Sequence, residues 1–228
     1  MTDYDAVFWD VGGVLLDVSS VREAHAAFVE RLLAENDVEA TADESLDVWR
    51  SVVGRHFRER DGTEFRSACT AYGLAVDEVL GRDVPDDEWY ALFRATVREH
   101  LRPNPGAREV TARLADAGVY QGIVSDVDAD EGAFILDHLE VREHVDDVTT
   151  SEAVGRTKPD PAMFEAALEK SPVPADGTVM VGDRYEHDMA GAAEHGIHPV
   201  SHGAEDGPAV EHVVDDLRGV LAVVGVDD

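Results

Sequence analysis

Lysine is nearly missing from this 228-residue chain: it occurs twice, at 158 and 170, against 17 arginines. Cysteine occurs once, at Cys69, inside a helical pattern (EFRSACTAYG). No internal disulfide can form, and the residue reads as packing rather than as a nucleophile. No apolar run reaches the roughly 18 residues of a membrane span. The start, MTDYDAVFWD, shows no basic segment followed by an apolar one, so it carries no secretory signal pattern. These absences predict a cytoplasmic protein with no membrane partner.

Positive charge is scarce as a whole. There are 49 acids against 19 bases, a net charge of −30. This argues against nucleic acid as a partner, since its phosphates need Lys and Arg. The acids run along the whole chain rather than forming a tail. Acid-rich, lysine-poor surfaces of this kind resemble those of proteins from extreme halophiles. At about 1 M salt the Debye length is only about 3 Å, so self-repulsion is screened. An acidic surface for a basic partner is the rival reading. With 44% apolar residues the chain is long enough and apolar enough to bury a sizeable core.

Residues 5–9 predict a first, buried strand. From Ser20 the pattern turns helical, with SVRE as a capping box and Val21, Ala24, Phe28 and Leu32 on one face. Further helices are expected near 42–60, 63–73 and 86–101, the last with Trp89, Phe93 and Val97 as its stripe. The prolines and glycine of RPNPG (102–106) then break the helices. After them strands and helices alternate: helix 106–117, strand 119–124, helix 129–138, a short strand near 146–150, and a helix from Asp160-Pro161. Strand 178–181, helix 184–195, strand 197–200, and a last strand and helix over about 212–224 follow. Such alternation implies an α/β, doubly wound, Rossmann-like parallel sheet. A direct crossover takes about 30 residues, yet the first two core strands lie far further apart. All of the excess reads as helix. The expected organisation is a core of residues 1–17 and 102–228 with an inserted helical cap at 18–101.

Ligands bind at the carboxyl ends of strands in open parallel sheets. Four strands here end in polar residues: Asp10, Ser125, Gly182-Asp183, and the loop GRTKPDP (155–161) with Lys158. Each has a bland reading alone, as a cap or a surface charge. Their joint placement points to one cleft.

DVGGVL, IVSD, GRTKPDP and VGDRYEHDMAGA together resemble the four ordered motifs of the haloacid dehalogenase superfamily. The helical insert after the first motif is similar to that superfamily's first cap type. The first motif departs from the pattern, because phosphatases of the family have Asp-x-Asp and here the position two after Asp10 is Gly12. The resemblance implies a phosphatase acting on a small phosphorylated metabolite. In it Asp10 is the nucleophile that forms an aspartyl phosphate. Mg²⁺ is the implied cofactor, held by Asp10, Asp183 and the main-chain carbonyl of Gly12, with Asp188 orienting the site from behind. Lys158 neutralises Asp10 and the phosphoryl oxygens, Ser125 donates to them, and N–H groups near Val11 and Gly12 add to the binding.

Other polar groups read more plainly. His195, His198 and His202 span a helix end, a strand and a loop and form no convincing metal set. His187 reads as a surface residue near the site. Arg55, His56, Arg58 and Arg60 read as a solvated helix face, and Asp126, Asp128 and Asp130 as acidic surface. Two alternatives to the phosphatase stand: a 2-haloacid dehalogenase using Asp10 without metal, and a non-catalytic binding or regulatory protein on the same fold. Family dehalogenases lack an acid at the place of Asp183. A decayed site has no need of Asp10, Lys158 and Asp183 together. Substrate identity and oligomeric state are not encoded in any pattern found.

Overall fold

The computed structural model describes residues 4–36, 38–203 and 207–226. The chain divides into two compact units, Met1–Asp17 with Pro103–Asp228, and Val18–Arg102.

The first unit is built on a six-stranded parallel sheet. Its strands are β1 (Ala6–Trp9), β2 (Tyr120–Ser125), β3 (Asp147–Thr150), β4 (Thr178–Gly182), β5 (His198–His202) and β6 (His212–Val214). The order β3-β2-β1-β4-β5-β6 is the doubly wound arrangement, with every pair parallel. A parallel sheet is covered on both faces, so its strands read as continuous apolar runs rather than alternating ones. AVFW of β1 is buried at all four positions. On one face Phe8, Val124 and Met180 meet Met163, Phe164 and Ala167 of the helix Pro161–Lys170. That helix starts as its sequence predicts: Asp160 Oδ1 accepts from Ala162 N at 3.0 Å and Pro161 takes the first turn. On strand β1, the Trp9 indole donates to Gln121 Oε1 at 3.2 Å. The Gln121 amide in turn donates to the Thr111 and His144 carbonyls, both at 2.8 Å, which satisfies a buried polar side chain.

The second unit is all helical: α1 (Val18–Asn36), α2 (Ala42–Arg58), α3 (Ala68–Leu80) and α4 (Asp86–His100). Its core is aromatic. Phe28 and Trp49 lie 5.3 Å apart between ring centres, Trp49 and Tyr72 5.4 Å, and Tyr72 and Phe93 4.8 Å. Two expectations need correction. Ser20 is no cap: α1 begins at Val18 and buried Ser20 accepts from Arg102 N at 3.1 Å. The capping box is at Thr41 and Glu44, where each side chain bonds the other's backbone N–H. The helix expected over 63–73 runs over 68–80 instead, because Ser67 caps it at Thr70 N and Gly81 ends it in the left-handed region. Cys69 is half-buried in its first turn.

No helix of the described residues is long and apolar enough to cross a membrane.

Candidate active site

β1 delivers Asp10 at the point where the strand order reverses, between β2 and β4. Its N–H donates to Val181 O at 3.0 Å, which ties it to β4. The chain then folds back on itself: Leu16 N donates to Val11 O at 2.8 Å and Gly13 N to Leu16 O at 3.0 Å. Asn104 locks this turn, its side-chain amide donating to the carbonyls of Gly13 and Val14, both at 2.8 Å. Gly13 has φ +79°, and a side chain there would overlap the Asp183 carboxylate. Only glycine permits that approach. At Gly12, by contrast, an added Cβ would meet nothing within 4 Å.

Four of the expected residues come together around Asp10. Ser125 Oγ, at the end of β2, donates to Asp10 Oδ1 at 2.8 Å. Lys158 Nζ lies 3.0 Å from the same oxygen and 2.5 Å from Asp188 Oδ1. Asp10, Asp183 and Asp188 each bring a carboxylate oxygen within 4.8 Å of the others. Lys158 is 1% exposed and Asp188 wholly buried, so these two charges lie out of water, while Asp183 is half-buried. Burial alone would discharge the lysine, but Asp10, Asp188 and Asp126 outweigh it and raise its pKa. Burial likewise raises the Asp10 carboxyl, and Lys158 and Ser125 pull it back. Asp183 is pushed up to about 6 by burial and by the charges of Asp10 and Asp188. Its Oδ1 is buried and has no hydrogen-bond partner among the described residues. Several carboxylates facing one ammonium, with one oxygen orphaned, fit a divalent cation with oxygen ligands.

The segment after β4 differs from the helix expected over 184–195. Residues Tyr185–Met189 make a π-turn before a short helix, Ala190–Glu194. The wider turn brings Asp188 back toward the strand ends, where Arg184 N donates to its Oδ2 at 3.1 Å. The acidic triplet is also not surface as a set: Asp128 is buried, Asp126 half-buried and only Asp130 exposed. Asp126 Oδ1 accepts from Lys158 N at 2.8 Å. Asn104 and Asp126 are the residues that sequence reasoning missed. An aspartate carries little signal among 49 acids.

The remaining histidines do not converge. His195 Nδ1 is 2.8 Å from Gly191 O, His198 Nδ1 2.7 Å from Glu211 Oε2, and His202 Nδ1 3.3 Å from Val214 O. In the helical unit Arg55 and Arg58 are exposed, while His56 and Arg60 are half-buried.

The buried carboxylate, buried lysine and acidic pair gathered at the strand ends of this parallel sheet come from the four motifs that resemble the haloacid dehalogenase family. The chain belongs to that family: the model for haloacid dehalogenase-like hydrolases matches residues 4–196. It is 36% identical over 204 residues to a glyceraldehyde 3-phosphate phosphatase of Pyrococcus abyssi, covering 85% of this chain and 79% of the relative. It is 26% identical over 207 residues to (S)-2-haloacid dehalogenase H-109 of Pseudomonas putida, covering 86% and 84%. The solved structure of the HAD-hydrolase YfnB from Bacillus subtilis superposes with TM-score 0.73 at 17% identity, covering 97% and 99%.

Proposed function

We propose that the chain is a Mg²⁺-dependent phosphatase of a small phosphorylated metabolite, working through an aspartyl phosphate at Asp10. The observation that carries this reading is the orphaned Oδ1 of Asp183 beside Asp10, in a cluster whose carboxylates outnumber its one ammonium. Asp10 and Asp183 would hold the cation, with the Gly12 carbonyl, which the turn's hydrogen bonds do not use. A bound divalent cation offsets the negative charge that otherwise repels a phosphate. An oxygen of Asp10 attacks phosphorus, and the ester oxygen leaves with the bonding pair. Lys158 and the Ser125 hydroxyl hold the phosphoryl oxygens while that charge redistributes. Water then attacks the aspartyl phosphate, releasing inorganic phosphate and restoring the carboxylate. Asp188 keeps the Lys158 ammonium in place.

The dehalogenase reading fares worse on charge. A 2-haloacid is itself an anion, and without a cation it would face Asp10, Asp183 and Asp188 with Lys158 as the one ammonium among them. The phosphatase named among the relatives supports the first reading. Phosphate release from p-nitrophenyl phosphate and a panel of phosphorylated metabolites, at molar KCl with Mg²⁺ or with chelator, tests it. Turnover should need Mg²⁺ and vanish in Asp10→Asn while the fold persists. Full activity in chelator, or halide release from 2-chloropropionate in place of phosphate release, overturns it.

A further inference from the structure

We propose that Asp126 is a positioning residue that pins the backbone of Lys158 and so sets its ammonium between Asp10 and Asp188. Asp126 follows directly on Ser125 where β2 ends, and its Oδ1 accepts from Lys158 N at 2.8 Å. A carboxylate accepting a backbone N–H makes a charge-assisted hydrogen bond, stronger than a neutral one. The lysine is then held at both ends: its amide by Asp126, its ammonium by Asp188 and Asp10 at 2.5 and 3.0 Å. That matters for lysine in particular, whose four-carbon stem otherwise leaves the charge free to wander.

Further contacts tie Asp188 to the π-turn. Asp188 Oδ2 accepts from Arg184 N at 3.1 Å, Arg184 Nη2 lies 2.6 Å from His187 Nε2, and His187 Nδ1 lies 4.0 Å from Asp126 Oδ2. The 4.0 Å approach of His187 is too long for a hydrogen bond, so the contacts that hold Lys158 are those of Asp126, Asp10 and Asp188. The loop does not need Asp126 merely to exist. Asp160 N donates to Thr157 O at 3.0 Å, and Asp160 caps the helix that follows. What Asp126 adds is the placement of Lys158.

Two variants separate placement from folding. Asp126→Ala removes the acceptor, whereas Asp126→Asn keeps a carboxamide oxygen for the Lys158 N–H. Because the chain has only two lysines, ¹⁵N-lysine labelling yields two backbone amides and two ammonium groups, with Lys170 as the internal reference. In Asp126→Ala the Lys158 amide proton should move upfield and exchange faster, and its ammonium signal should shift, with Lys170 unchanged. In Asp126→Asn most of this should be restored. This arm does not depend on the reaction. The activity arm rests on the phosphatase reading: kcat should fall about 10- to 100-fold in Asp126→Ala with KM little changed, as expected of a group misplaced by about an ångström, and Asp126→Asn should recover most of it. Lys158 signals that stay put in Asp126→Ala, or an Asp126→Asn as impaired as Asp126→Ala, overturn the proposal. Shifted Lys158 signals in a protein that releases no phosphate would leave it standing and overturn the phosphatase reading instead.

Discussion

The two units bury opposite kinds of chemistry. The sheet unit encloses Asp10, Lys158 and Asp188 with hydrogen bonds and ion pairs to each. The helical unit encloses Phe28, Trp49, Trp89 and Phe93, and leaves the indole N–H groups of Trp49 and Trp89 without a partner among the described residues. Trp9 in the sheet unit does have one, in Gln121. Buried polar groups are costly unless paired, and in the sheet unit Asp10, Lys158 and Asp188 offset that cost by pairing with one another. The helical unit carries apolar bulk, and its two unpaired indoles are a cost its packing offsets. Half-buried His25 fits the same pattern: the rings of Trp49, Tyr72 and Phe93 crowd it, and desolvation pushes its imidazole down to about 4, so it stays neutral.

The largest change is expected at Gly12 of the sheet unit. The sheet unit's site is rich in acceptors, and Gly12 offers no side chain to protonate a leaving oxygen. General acid help is worth about 10²–10⁴ in rate. The enzyme should therefore favour good leaving groups, such as aryl, acyl or sugar 1-phosphates. Across substituted phenyl phosphates kcat/KM should fall steeply as the phenol pKa rises. Gly12→Asp, whose Cβ would meet nothing within 4 Å, should flatten that slope where its carboxyl reaches the leaving oxygen. A flat dependence in the unaltered enzyme would reveal another proton donor.

Phe93→Ala should strike the helical unit, at about 3–5 kcal/mol for a buried aromatic. Denaturant melts followed by tryptophan fluorescence should show an earlier transition for Trp49 and Trp89 than for Trp9, resolved with single-tryptophan variants. A single transition lowered equally for all three would break the distinction between the units.

Salt should act on both units, since the net charge of −30 repels itself wherever screening is withdrawn. Melting temperature should climb from about 0.1 M to about 3 M KCl, the range over which the Debye length shrinks from about 10 Å to below 3 Å. A flat series would dispose of the halophile reading.

The smallest effect is confined to the sheet unit. Asp183 and Asp126 are each pushed up to about 6 from 3.8, so between those values the folded chain binds protons that the unfolded chain does not. Their contribution to stability is complete below about pH 4 and is lost as pH rises through about 6. Without metal, melting temperature should rise as pH is lowered from 7 toward 5. Mg²⁺ should reduce that rise by holding Asp183 ionised. An identical pH dependence with and without Mg²⁺ would count against Asp183 as a ligand.

The sheet and the strand-end residues were legible because their signals are periodic or chemically rare. Four buried apolar positions before Asp10, the Asp160-Pro161 start and a lone site lysine all stand out from the background. Asp126 did not, because its role depends on a backbone N–H over 30 positions away, which no local pattern shows. The π-turn was hidden for a related reason: it accompanies the contacts of Asp188 with Lys158 and Arg184, the first of them 30 positions away, which no local pattern shows. Ser20 misled as a cap because a serine inside a helix can as well serve a distant amide.

The position of β1 has a consequence for how the protein is made. It leaves the ribosome before the other five strands of its sheet, yet it lies at the centre, between β2 and β4, with none of its four side chains exposed. Its first neighbour begins only at Tyr120 and its second at Thr178. At about 5–20 residues per second, AVFW waits roughly 5–20 seconds for β2, and several more for β4. During that interval the four helices of the other unit are completed, while the most apolar strand of the core remains a sticky end in need of shelter.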